Sequence, residues 1–171
     1  PISPLTPGTL TAITGASGAG KTTLLRTIAG LTSPLERRIH VDGIDVTDID
    51  EKSWFSRISY VPQDPWLGHG SVREALTKGV IASEEQCHAA LSEVGLDDMS
   101  LDTRIDDLGG GVSVGQRRRI ALARCRLRSS RLILLDEPTA AVDAHSEDAI
   151  LRMLHKWTAE GAIVIAVFGG G

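Results

Sequence analysis

The sequence predicts an α/β fold on a mostly parallel sheet, and three observations carry that prediction. Leu132–Leu135 and Ala162–Phe168 are continuous apolar runs, the pattern of strands buried on both faces of a parallel sheet. Segments with helical spacing alternate with these runs. Serine followed three residues later by Glu or Gln recurs ahead of helical stretches, the pattern of a helix N-terminus.

In chain order, Leu10–Thr14 is expected as a short buried strand, followed by a glycine-rich stretch, Gly15–Gly20. A helix should run from Lys21 to Leu31, with Leu24, Leu25 and Ile28 on one face and Gly30 near its end. Arg38–Val41 alternates like a strand and turns at Asp42-Gly43. Ile58–Val61 is another strand, stopped by Pro62. The sets Ser71-Val72-Arg73-Glu74 and Ser83-Glu84-Glu85-Gln86 are capping boxes that each start a helix, the second running to about Val94 with Gly95 closing it. Asp106–Gly111 is expected as loop, and Ser113-Val114-Gly115-Gln116 opens a helix to about Leu127. The strand Leu132–Leu135 ends at Asp136. A helix over Asp143–Glu160 should turn Ile150, Leu151 and Leu154 inward, with Gly161 as its stop before the last strand. The closing Gly169–Gly171 is expected to fray.

With 171 residues, 42% of them hydrophobic, the chain suits one domain with a core. A net charge of −4 argues against a dedicated nucleic-acid binder. Cys87 and Cys125 fit no metal or disulfide spacing and are expected as reduced thiols. No apolar run reaches the roughly 20 residues of a spanning helix, and the start, Pro1–Thr9, does not have the pattern of a signal peptide.

The chemistry begins at Gly15-Ala16-Ser17-Gly18-Ala19-Gly20-Lys21-Thr22, a full match to G-x-x-x-x-G-K-[ST] between an apolar strand and a helix. Glycines let the backbone curl so that successive N–H groups face a polyphosphate, and the helix start adds its positive end. Lys21 supplies a full cation to the outer phosphates, and the Thr22 hydroxyl is placed for Mg²⁺, with Thr23 beside it. A phosphate loop needs an acid near the metal, and Leu132-Ile133-Leu134-Leu135-Asp136-Glu137 brings two to the C-terminal end of a strand. Asp136 would hold Mg²⁺ through water, and Glu137 would orient and deprotonate the attacking water.

On these residues the chain resembles the ABC ATPases. Four further elements follow in family order. Gln63 in Val61-Pro62-Gln63, 42 residues after Lys21, resembles the glutamine loop, which contacts Mg²⁺ and senses the transmembrane partner. Val112-Ser113-Val114-Gly115-Gln116 resembles the family's signature, usually LSGGQ, with two hydrophobic substitutions. Asp143, in Ala140-Ala141-Val142-Asp143, resembles the aspartate loop. Asp107 matches an acidic position that in exporters contacts neighbouring loops. The resemblance implies ATP and Mg²⁺ as cofactors and a head-to-tail dimer with a second ABC ATP-binding domain, in which Ser113, Gly115 and Gln116 face the nucleotide of the partner. It also implies a transmembrane domain, on the same or a separate chain, at the cytoplasmic face of a membrane. It divides the chain into a core of about 1–62 and 130–171 and a helical signature subdomain of about 63–129. A narrower likeness, to exporters of thiol reductants, rests on Ser53-Trp54, Val61–Pro65, Ser113–Gln116 and Asp143-Ala144-His145-Ser146-Glu147.

Two departures stand out. Nothing aromatic precedes Lys21, where the family places its adenine-stacking residue, and the switch histidine's position, about 31 residues after the catalytic glutamate, falls on Phe168. A phenyl ring cannot hydrogen-bond a phosphate or a water. The chain is also shorter than the roughly 200–250 residues of a complete domain, an expectation of truncation at both ends. A nucleotide-binding but degenerate domain is therefore the alternative to an active ATPase. A non-transport ABC ATPase of DNA repair is disfavoured, because only 50 residues without heptads separate Gln63 from Ser113.

Other residues have plainer readings. Arg117, Arg118, Arg119, Arg124, Arg126, Arg128 and Arg131 are expected as a solvated helix face balanced by acids rather than a nucleic-acid surface. Trp54, Phe55 and Trp66 form either an exposed patch that docks a transmembrane helix or ordinary core. His40, His69, His88, His145 and His155 lack ligand spacing and are expected at the surface.

Overall fold

A computed structural model describes residues 4–32, 39–108, 110–140 and 142–169. The expected strand start at Arg38, the chain start at 1–3 and the last two glycines lie outside the described residues.

The chain folds as β1 (Leu10–Ile13), α1 (Lys21–Ile28), β2 (His40–Val41), β3 (Ile44–Asp45), α2 (Glu51–Arg57), β4 (Ile58–Val61), β5 (Gly70–Ser71), α3 (Val72–Thr77), α4 (Glu84–Glu93), β6 (Arg104–Ile105), α5 (Val114–Arg128), β7 (Leu132–Asp136), α6 (Ala144–Ala159) and β8 (Ile163–Val167). The main sheet is parallel throughout, in the order β1-β8-β7-β4. All four strands therefore end on one edge. Past those ends come the glycine loop after β1, Gln63 after β4, Glu137 after β7 and Phe168 after β8. Ligands bind outside the carboxyl ends of strands in sheets of this type.

The apolar runs of β7 and β8 are buried on both faces because side chains alternate. Leu134, Ile165 and Val167 face α1 and α2, where Leu25, Ile28, Ala29 and Trp54 complete one core. Ile133, Leu135, Val164 and Ala166 face a larger core shared with α3, α4, α5 and α6. Leu134 is fully buried, so Leu134→Ala would cost about 2–5 kcal/mol. The Ser59 and Ser130 hydroxyls, both buried, satisfy each other at 2.6 Å and tie β4 to the approach to β7.

Both expected capping boxes form, at Ser71 with Glu74 and at Ser83 with Gln86. A third, Ser113 with Gln116, starts α5.

Several expectations need correction. The helix from Lys21 ends at Ile28 rather than Leu31, because Gly30 takes φ +78° and the Leu31 N–H turns back to the Arg26 carbonyl at 2.9 Å. On α6, Leu151 is only half-buried, while Met153 and Trp157 fill the core beside Ile150 and Leu154. The aromatic residues form no common patch. Trp54 is core and donates its ring N–H to the Ile28 carbonyl, Phe55 packs beside it, and only Trp66 is exposed, under the Lys78 ammonium. Helix α2 has no counterpart in the sequence reading. All five histidines are exposed, and Cys87 and Cys125 are free and buried.

The arginine-rich helix face also differs from expectation. Arg117, Arg118, Arg119, Arg124 and Arg126 are half-buried rather than solvated. Arg117 pairs with Asp64 at 3.3 Å and Arg126 with Glu93 at 3.0 Å, but Arg119 and Arg128 donate to the backbone carbonyls of Gly95 and Phe55. These side chains stitch α5 to its neighbours, so their charge is spent inside the fold.

Candidate functional site

The glycine loop curls as its composition demands. Gly18 and Gly20 sit at φ +80° and +84°, a left-handed backbone that L side chains enter at a cost of about 1–2 kcal/mol. Gly20 is also the residue before α1, and no side chain caps that helix. The first amides of α1 thus point into the loop with the positive end of the helix dipole behind them. The Lys21 ammonium lies inside the curl, donating to the carbonyls of Gly15 at 2.6 Å and Ala16 at 2.9 Å. Ser17 and Ala19 complete the loop, with the Ala19 N–H closing a turn on the Ala16 carbonyl. Thr23, one residue into the helix, is exposed at the same end.

The decisive contact joins segments 114 residues apart. The Thr22 hydroxyl donates to Asp136 Oδ2 at 2.7 Å. Parallel β1 and β7 flank β8, so their ends lie close, and Asp136 is buried, its relative exposure 5%. The Asp136 charge is felt one strand further on: burial first, then that carboxylate, pushes the Tyr60 phenol above its usual value, with Arg26 opposing.

Glu137 leaves β7 in a left-handed conformation, φ +50°. Such a conformation is uncommon for a residue with a side chain and concentrates at functional sites. Its N–H is held by the Val167 carbonyl at 2.9 Å. Its carboxylate accepts a hydrogen bond from Gln63 Nε2 at 2.9 Å. A Cβ added at Gly169 would stand 3.4 Å from that carboxylate, so the end of β8 also borders it.

Among the described residues, the remaining candidates make no side-chain hydrogen bond to Lys21, Thr22, Asp136 or Glu137. Ser113 accepts from the Gln116 N–H at 3.1 Å, while the Gln116 side chain accepts from the Ser113 N–H at 2.8 Å. Gly115 follows in the first turn. Among the described residues, none of the three bonds to the glycine loop. Asp143 caps α6, and the Ser146 N–H and hydroxyl hold its carboxylate below the usual range. Asp107 is exposed and faces His69 at 3.6 Å. Phe168 sits at the end of β8 with its ring against the larger core.

A divalent cation fits the Thr22–Asp136 pair. One hydroxyl and one carboxylate are hard oxygen donors. Mg²⁺ is bound by one or two such protein oxygens together with substrate phosphates.

One residue escaped the sequence reading. Arg118 borders the cleft beside Asp136 and Glu137. A basic residue on a helix signals only solvation, so nothing in the sequence marked it.

The chain is similar to known proteins over most of its length. The family model described as ABC transporter matches residues 4–140. The chain is 39% identical over 150 residues to the Haemophilus influenzae glutathione/L-cysteine transport system ATP-binding/permease protein CydD, covering 85% of this chain and 25% of that one. It is 37% identical over 159 residues to the mycobactin import ATP-binding/permease protein IrtB of Mycobacterium tuberculosis strain H37Rv, covering 88% and 27%. The chain thus spans about a quarter of the length of these relatives. A solved bacterial Atm1-family ABC exporter with ATP bound superposes with a TM-score of 0.88 at 29% identity, over 96% of this chain and 30% of that one. A glycine loop locked to a strand-end acid, matched across most of its length, means that the chain belongs to the ABC transporter family, as its ATP-binding domain.

Proposed function

We propose that this domain binds and hydrolyses ATP to drive an exporter-type transporter, at the cytoplasmic face of a membrane. The observation that carries the reading is the 2.7 Å contact between Thr22 and Asp136, which makes the phosphate loop and the acidic strand end one site. Backbone amides of 15–22 and the Lys21 ammonium take the β and γ phosphates. Thr22, Asp136 and Gln63 would hold Mg²⁺, which supplies charge neutralisation along the phosphate tail. Glu137 accepts a proton from the attacking water, and Gln63 fixes the carboxylate that does so. The water oxygen bonds to the γ phosphorus as the bond to the β–γ bridging oxygen breaks, leaving ADP and phosphate.

The hydrogen bonds of Ser113, Gln116 and Asp143 are local caps of α5 and α6 rather than contacts with this site. That arrangement supports a second ABC ATP-binding domain, packed head to tail, as their partner. A transmembrane domain on the same or another chain would receive the motion. No described helix is long and apolar enough to cross a membrane. The likeness to CydD favours thiol reductants as cargo.

The test compares ATP binding and turnover of the parent with Lys21→Ala and Glu137→Gln. Lys21→Ala should lose binding. Glu137→Gln should keep binding and lose about 10²–10⁴-fold in turnover, the usual contribution of a general base. Equal turnover in Glu137→Gln and parent refutes the assignment.

A second reading rests on Phe168. Its ring packs on apolar neighbours and offers no hydrogen bond where the family expects a histidine. This supports a nucleotide-binding domain with weak turnover of its own. Phe168→His in the full-length protein should raise turnover, and an unchanged rate removes the argument.

A further inference from the structure

We infer that Arg118 is a positioning residue that locks Gln63 and Glu137 to helix α5, so that movement of the signature-bearing helix changes the geometry of water activation. This rests on the hydrolytic role proposed for Glu137.

Arg118 lies five residues after Ser113, on the half-buried side of α5. Its Nε donates to the Gln63 carbonyl at 2.8 Å, and its Nη1 donates to the Ala140 carbonyl. Both acceptors adjoin Glu137. Gln63 is the residue whose side chain donates to the Glu137 carboxylate, and the Ala140 N–H donates to the Glu137 carbonyl at 3.1 Å. One guanidinium therefore braces the two segments that hold Glu137 from opposite sides. Its planar fork fixes the angle between the two donors, which the single ammonium of a lysine cannot do.

Among the described residues no carboxylate pairs with Arg118, unlike Arg117 and Arg126. Its two hydrogen bonds go to the Gln63 and Ala140 carbonyls, while the side chain itself borders the cleft with Pro62, Leu135, Asp136 and Pro138. A charged donor that bonds two loop carbonyls at once is a brace on those loops. Because α5 begins at Ser113, a rotation of that helix pulls on Gln63 and on the start of the aspartate loop together.

The test is a double-mutant cycle with Arg118→Ala and Gln63→Ala, reading nucleotide affinity, KM and kcat of the full chain. Arg118→Ala should lower kcat about tenfold with affinity within about twofold, and should cost less in the Gln63→Ala background than it does alone, because the Gln63 side chain is one of its two routes to Glu137. Arg118→Lys, which keeps the charge and one hydrogen bond, should fall between parent and alanine, and it replaces the alanine variant if that does not fold. Losses that multiply in the double variant, or a loss of affinity equal to the loss of kcat, overturn the inference. If the parent itself shows no turnover, the hydrolytic reading fails separately. Amide exchange then decides for Arg118: segments 61–65 and 137–140 should exchange faster in the variant while 15–28 does not change, and unchanged exchange in both segments overturns the brace.

Discussion

Two helix starts in this molecule are both expected to face nucleotide phosphate, and they differ in physics. Helix α1 begins at Gly20, with a left-handed backbone and no side-chain cap. Helix α5 begins at Ser113, which closes a full capping box with Gln116. The first leaves its amides facing the loop that curls around Lys21. The second answers its own amides with its own side chains, as α3 and α4 do from Ser71 and Ser83. An anion can be taken wholly by the first, whereas the second can offer only what its box leaves over, the Ser113 hydroxyl hydrogen and the helix dipole. On the function proposed above, the contrast would let the domain grip a nucleotide with its own loop, while its signature end would meet one supplied by a partner.

Substitution at Gly20 should break this comparison most sharply. A Cβ there meets no atom within 4 Å, so Gly20→Ala acts through backbone strain alone. Stability should fall by about 1–2 kcal/mol, and ATP affinity should fall with it, by about tenfold if the amides tilt by that much free energy. Thermal unfolding and nucleotide titration read the two effects. A stable variant with parental affinity would mean that the curl is not what binds phosphate.

The serines sharpen the comparison at smaller scale. Ser83→Ala and Ser113→Ala should each cost about 1 kcal/mol of stability, the worth of a cap. If the proposed head-to-tail dimer forms, only Ser113→Ala should also lower turnover. Equal turnover in the two variants would leave Ser113 as a cap and nothing more.

The smallest effect concerns charge. The helical region compensates its charges internally. Burial works against the ionised Glu93, but hydrogen bonds from Lys156 and the Trp157 ring N–H, with the Arg126 and Lys156 charges, outweigh it and hold its pKa below the usual value. A carboxyl lowered on folding stabilises the protein above its unfolded pKa, and the gain disappears as pH falls through the folded value. The stability difference between parent and Glu93→Gln should therefore be full at neutral pH and shrink through the acid range. A difference independent of pH would show that packing, not charge, links α4 to α6.

Legibility in the sequence followed the range of the interaction. The capping boxes and the doubly buried strands are local patterns, and they appear where the residues predict them. Helix α2 escaped because its only buried residue is Trp54, so seven residues show no period. Strands β5 and β6 are two residues each and pair Gly70 with Ile105, a partnership no local window contains. The glycine loop and the acid pair were legible as types and spacings. The Thr22–Asp136 and Gln63–Glu137 contacts were not, because they depend on which strand ends lie side by side. Arg118 was least legible of all, since both of its acceptors are backbone carbonyls, which have no residue signature.

On the proposed function, the phosphate loop and Asp136 form one metal-dependent nucleotide site. Its most direct test is the Mg²⁺ dependence of ATP binding by the parent and by Asp136→Asn, which keeps the acceptor for Thr22 but not the charge. Both proteins should bind ATP comparably when Mg²⁺ is chelated, and only the parent should gain affinity when Mg²⁺ is restored. The same gain in Asp136→Asn would contradict the account.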